Sequence, residues 1–145
     1  MKTIAVAVDF DEEVRDVIDL AATMARYFGA EIHLIHIYVQ HPELAPFMYP
    51  GGPIESEVEF QKETQQIEQL VEELREQGIR AAGYMKGGNA VSGLLEFAEH
   101  RNADLIVIGS HRKERVEDIL GSVANGLVRR STIPVLVVPR KKKAA

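Results

Sequence analysis

Five short apolar runs, most of them rich in β-branched residues, alternate along this chain with four helix-forming stretches, and that alternation constrains the fold more than any single residue. The runs read "TIAVAVDF", "EIHLIHIYV", "IRAAGYM", "ADLIVIGS" and "TIPVLVVP". Most are nearly continuous in apolar character, as expected of strands covered on both faces; "IRAAGYM" is the weakest. Between them, Val14, Val17, Ile18, Ala21, Ala25 and Phe28 recur at helical spacing, and Gly29 supplies a left-handed stop. Residues 54–77 form a strongly charged helix with an acidic wet face, a late apolar stripe of Ile67, Leu70, Val71 and Leu74, and Gly78 at its end. Asn89 caps a third helix whose Val91, Leu94, Leu95 and Ala98 share a face, and a fourth runs from Ser122 to Arg130. Such alternation forces a crossover after every strand, so neighbouring strands run parallel and helices cover both faces. The expected fold is α/β: a single-domain, open, doubly wound parallel five-stranded sheet.

At 145 residues the chain suits one core, and no composition break marks a second domain; the domain is expected over 1–140, with a basic tail over 141–145. "QHPELAPFMYPGGP" (40–53) holds too many prolines and glycines for a helix or central strand and reads as a surface loop. The absence of cysteine excludes disulfides, thiolate catalysis and cysteine zinc sites, and suits a reducing compartment. No window approaches ~18 apolar residues, and the opening "MKTIAVAVDFDEE" is too short in apolar character for a secretory signal. A cytoplasmic protein without membrane insertion is expected. A net charge of -5 argues against non-specific nucleic-acid binding, which requires a basic surface.

In open parallel sheets ligands bind beyond the carboxyl ends of strands, where strand order reverses and adjacent loops diverge. With strand order 3-2-1-4-5, the loops after strands one and four flank one crevice. The first carries "DFDEE" and the second "GSHRKERVEDILGS". Gly109 permits unusual backbone angles and close approach of main chain to ligand, and Gly121 does the same at the helix entrance. Amides at Gly121, Ser122 and Val123 can bind a phosphate, helped by the Ser122 hydroxyl; equally, Ser122 can simply cap the helix and Gly109 simply turn the chain. Arg112, Lys113 and Arg115 either supply charge to a triphosphate or form a solvated loop balanced by Glu114, Glu117 and Asp118. The glycine interval is too long for a P-loop, and no Gly-Lys-Ser/Thr triplet follows.

Asp9, at the end of strand one, either accepts hydrogen bonds from ribose hydroxyls, holds a magnesium ion, or closes an Asx turn. Asp11 reads as a cap, and Glu12 and Glu13 favour the positive helix end. His33 and His36 point to opposite faces of strand two, cannot share a metal, and read as packed or satisfied histidines. His111 adjoins the glycine loop. No catalytic constellation with a recognisable local signature is present.

The segments "TIAVAVDFDEE", "IHLIHIY" and "DLIVIGSHRKERVEDILGSVANGLVRRSTIPVLVVP" resemble the universal stress protein family over almost the whole chain. The resemblance implies homodimers paired edge to edge through the last strand, here 134–138, and a nucleotide loop of the form G-x-x-G-x9-G-[ST]. Gly109 matches its first glycine, and Gly121 with Ser122 its end. Arg112 occupies the second glycine position and the loop is one residue shorter, as in one branch of the family. Phe10 and Asp11 stand where many members have Gly-Ser. The resemblance places ATP, with or without Mg2+, against Val8, Asp9, Ile37, Tyr38, Ile108, Gly109, His111, Arg112, Gly121, Ser122 and Val123. It implies a dimeric stress-response protein binding ATP as a regulatory ligand, with at most slow hydrolysis or self-phosphorylation. The competing expectation is a nucleotide-free dimeric interaction module of the same fold, with Arg112 filling the phosphate site. A synthetase or hydrolase of related adenine-binding folds ranks below both, because strand one is not followed by a Ser-Gly-Gly phosphate loop.

Overall fold

The structure, a computed structural model, describes residues 1–10, 14–38, 54–110 and 120–139. Asp11, Glu12, Glu13, the 40–53 stretch, the basic tail and the 111–119 segment with His111, Arg112, Lys113 and Arg115 lie outside the described residues. The described elements are β1 (Thr3–Ala7), α1 (Val14–Phe28), β2 (Glu31–Tyr38), α2 (Ile54–Glu76), β3 (Ala81–Gly87), α3 (Ala90–His100), β4 (Leu105–Gly109), α4 (Ser122–Arg130) and β5 (Val135–Val138). All strand pairs are parallel, in the order β3-β2-β1-β4-β5. The strand order and the doubly wound architecture are those expected; the strand bounds move by one to three residues.

Strand periodicity divides the core into two layers. Ile4, Val6, Ile32, Leu34, Leu105 and Val107 face α1 and α2. Ala5, Ile35, Ile106 and Ile108 face α3 and α4. Because β1 and β4 are buried on both sides, every residue of "IAV" and "LIVI" is apolar, which explains their unbroken runs. The α2 stripe of Ile67, Leu70, Val71 and Leu74 is buried, while Glu57, Glu59, Glu68 and Glu72 are exposed. Phe28 departs from the expected face of α1: it is 49% exposed and meets Tyr27 edge-on at the last turn, where Gly29 (φ 67°) turns the chain away. Asn89 caps α3 as expected, its side-chain oxygen accepting from the Ser92 N–H at 3.1 Å.

Helix α2 lies so close to the edge strand that a Cβ on Gly83 would collide with Ile67 and approach Val71 at 3.0 Å. At the other end of β1, Asp104 clamps the chain start: its carboxylate accepts from the backbone N–H of Lys2 at 2.7 Å and of Thr3 at 3.0 Å. These two bonds, Lys2's first, hold the Asp104 carboxyl below its ordinary range. Arg75 covers the outer edge of β3, donating from Nε (3.1 Å) and Nη2 (2.9 Å) to the Ala81 carbonyl. That contact blunts one exposed sheet edge.

Two outcomes follow. Gly83→Ala lowers the unfolding free energy by about 1–3 kcal/mol through overpacking, and Ile67→Ala added to it costs less than Ile67→Ala alone; urea melts of the four proteins measure this, and simple additivity would contradict it. A carboxyl whose folded pKa is depressed stabilises above its unfolded value, about 3.9, and loses that contribution as pH falls through the lower folded value. Asp104→Asn therefore flattens the fall of stability below about pH 4. An unchanged acid slope in pH-dependent melts would contradict that role.

Candidate functional site

The crevice is a consequence of chain direction. From β1 the chain passes to α1 on one face of the sheet, whereas from β4, its hydrogen-bonded neighbour, it passes to α4 on the other. The two connections therefore part at the carboxyl ends of adjacent strands, with Val6 paired to Val107 just below the opening.

On the β4 side, the Ser110 N–H donates to the Val138 carbonyl at 2.9 Å, and the Ser110 carbonyl accepts from the Gly121 N–H at 2.8 Å. The second bond brings the start of α4 back against the end of β4 across the 111–119 segment. The cap of α4 is Gly121 (φ -58°, ψ 157°), not Ser122, and no side chain caps it. Ser122 is instead the first helical residue and is exposed, so its hydroxyl does not do the capping that was one of its two expected roles. The first intrahelical bond runs from the Asn125 N–H to the Gly121 carbonyl at 2.9 Å, which leaves the amides of Ser122, Val123 and Ala124 without a partner within the helix. Arg129 and Arg130 in the last turn complement the opposite end of the dipole.

The glycines are not where they are for the first reason expected. Gly109 closes β4 in extended backbone and Gly121 has negative φ; the described glycines with positive φ are Gly29, Gly78 and Gly88.

On the β1 side, the strand ends at Ala7, two residues before Asp9, although the Val8 N–H still donates to the Ile35 carbonyl at 2.8 Å. The Val8 carbonyl accepts from His36 Nδ1 at 2.7 Å, and its side chain is buried with α1 and α2. Val8 thus has both backbone groups engaged within the protein and serves to place Asp9, whose side chain is exposed at the opening. His33 and His36 do face opposite ways: His33 stacks on Tyr84 at 5.9 Å and meets Glu31 at 3.0 Å, while His36 packs on Phe10 at 4.9 Å.

Ile37 and Tyr38 separate. Ile37, Ile108 and Val123 join one apolar cluster on the α3–α4 face, with Gly93 of α3 so near that a Cβ there would stand 3.1 Å from Ile37 Cδ1. Tyr38 turns the other way and meets Phe60 of α2 edge-on at 5.2 Å. The structure therefore gathers Ile37, Ile108, Gly109, Gly121, Ser122 and Val123 with Asp9 around the strand ends, and sets the Tyr38 ring apart. Sequence reasoning missed Gly93 and the reach of His36 to the Val8 carbonyl; both depend on contacts between distant segments, and only the helix pattern around Gly93 hinted at a packing role.

Among the described residues no group of three His, Asp or Glu is placed to hold a metal ion. Among the described residues Asp9 is a carboxylate exposed at the opening, and it would suit a magnesium ion that keeps most of its waters. No helix among the described residues is long and apolar enough to cross a membrane. A separate cleft of about 290 Å³ runs along β3 and α3, where the Arg101 guanidinium lies over Tyr84 (4.1 Å) and Phe97 (3.8 Å).

Residues 1–139 match the model of the universal stress protein family. The chain is 32% identical to universal stress protein MJ0531 of Methanocaldococcus jannaschii, covering 98% of this chain and 84% of that protein. It is 30% identical to universal stress protein A homolog 1 of Coxiella burnetii, covering 97% and 98%. Its fold is similar to that of protein MJ0577 from M. jannaschii, with a TM-score of 0.81 at 24% identity and 98% of each chain covered. It also resembles the universal stress protein of Archaeoglobus fulgidus in complex with dAMP, with a TM-score of 0.69 at 22% identity and 94% and 97% covered. A universal stress protein in complex with cAMP gives 0.68 at 23%, with 95% and 96% covered. Matched by the family model over residues 1–139 and by a relative 32% identical over nearly its whole length, the chain belongs to the universal stress protein family.

Proposed function

We propose that this protein binds ATP, as its magnesium complex, in the crevice between β1 and β4 and uses it as a regulatory ligand in a stress response. The observation that carries the reading is the Gly121 N–H to Ser110 carbonyl bond, which sets the amino end of α4 over the end of β4. There the amides of Ser122, Val123 and Ala124 and the helix dipole attract a phosphate group. Asp9 takes the ribose hydroxyls or the magnesium ion, and Ile37, Ile108 and Val123 provide an apolar wall for adenine. His111 and Arg112, which lie outside the described residues, are taken as further contacts to the nucleotide, Arg112 supplying charge. The cAMP and dAMP complexes of structurally similar proteins support an adenine nucleotide as the ligand class.

The protein acts in the cytoplasm as a homodimer. β5 is the sheet edge opposite the one covered by Arg75, and its Val135, Leu136 and Val137 are only half-buried. Pairing of two β5 strands would satisfy that edge. In this reading binding is the main activity, and hydrolysis or self-phosphorylation is at most a slow side reaction.

ATP with magnesium at a hundredfold excess over its Kd stabilises the protein by about 2.7 kcal/mol, raising Tm by several degrees. Ser122→Asp separates helix from ligand: an acid at a helix start stabilises by about 0.3–1 kcal/mol, so the nucleotide-free protein melts no lower than the parent. Its carboxylate repels a phosphate, so ATP affinity falls about tenfold or more. Thermal melts and calorimetric titration read both effects. No Tm shift of the parent at millimolar ATP, or unaltered ATP binding by Ser122→Asp, would contradict the assignment.

A further inference from the structure

We infer that His36 is a positioning residue for the crevice, holding the Val8–Asp9 peptide in the orientation that a nucleotide meets; this rests on the nucleotide reading above. A carbonyl oxygen only accepts, so the nitrogen 2.7 Å from the Val8 oxygen, Nδ1, carries the proton and donates it. The other ring nitrogen lies 3.1 Å from a carboxylate oxygen of Glu63 on α2, and Phe10 packs against the ring at a centroid distance of 4.9 Å. The His36 side chain is only 12% exposed, so few orientations are open to it. From β3, Met85 is its register partner and brings no charge. Glu63 is the charged group that meets the ring; Glu59 and Lys62, within a turn of it on α2, are exposed.

The contact matters because of where it falls. β1 stops at Ala7, and the Val8 N–H to Ile35 bond is the last ladder-like contact between β1 and β2. Beyond it, the Val8–Asp9 peptide plane is tied to β2 by the His36 contact. The peptide bond is planar and trans, so the Val8 carbonyl and the Asp9 N–H point in opposite directions. Fixing the carbonyl on His36 turns the Asp9 N–H away from α2. Freed from His36, the plane can rotate and take the Asp9 backbone out of register with the start of α4. Glu63 extends the connection to α2, so the packing of that helix and the shape of the crevice are joined through one imidazole.

Two isosteric replacements dissect the ring. Asparagine places its amide nitrogen near the position of Nδ1 and can still serve Val8; glutamine places its own near Nε2 and can serve only Glu63. Titration of ATP with magnesium into the full chain is expected to show His36→Asn binding within about threefold of the parent, and His36→Gln and His36→Leu about tenfold or more weaker. Glu63→Gln, whose amide can either donate to or accept from Nε2 and which does not touch Val8, is expected to stay within about threefold. Melting without nucleotide establishes that each variant is folded, and a merely structural role would weaken binding in proportion to lost stability and not according to which ring nitrogen is replaced. His36→Gln binding like the parent, or His36→Asn as weak as His36→Leu, overturns the role of Nδ1. Should His36→Gln not fold, a tenfold loss in His36→Asn overturns it alone. A parent protein that binds no ATP overturns the nucleotide reading and this inference together, whereas parent binding that every variant retains overturns only the inference.

Discussion

The structure depends on the placement of β1 between β2 and β4. Both of its neighbours are parallel to it, so both of its faces must be covered, and helices have to leave the strand ends in opposite directions. That single requirement produces the two core layers, α1 with α2 and α3 with α4, and it produces the opening at the top of the sheet. Fold and site are thus one geometrical fact: a sheet built outward from its first strand has a break in its connections where the chain returns to β1's other side.

Much of this was legible because the signals were local and redundant. Apolar runs of strand length, helix stripes such as Ile67, Leu70, Val71 and Leu74, and the Asn89 cap each report a short-range preference that the packed core reinforces. The misread details share a different character. Ser122 has the composition of a helix cap, but the cap falls on Gly121 because its N–H is drawn to the Ser110 carbonyl, a bond across eleven residues. Gly109 and Gly121 invite an argument from unusual φ that their negative or extended backbone does not need. Ile37 and Tyr38 are adjacent, so strand alternation sends Ile37 with Ile35 to the α3–α4 face and Tyr38 with Leu34 to the other, where it meets Phe60.

The same distinction runs through the electrostatics. The acidic exterior of α2 and the basic last turn of α4 follow from composition, whereas the carboxylates with depressed pKa values owe them to particular partners: Asp104 to the amides of Lys2 and Thr3, Glu31 chiefly to His33, and Glu96 chiefly to Lys86. His36 belongs to this second group. Nothing in "LIHIY" says that one ring nitrogen will reach Val8 and the other Glu63, because strand-order neighbours and a helix from a later segment supply them.

The central claim is that a nucleotide sits at the junction of β1, β4 and α4. Amide chemical-shift mapping of the isotopically labelled chain during titration with ATP and magnesium tests it most directly. The account predicts the largest displacements at Asp9, Ile37, Gly109, Ser122 and Val123, with little change along the β3–α3 cleft at Tyr84 and Arg101. Displacements confined to that cleft, or none at the amino end of α4 at saturating nucleotide, would contradict it.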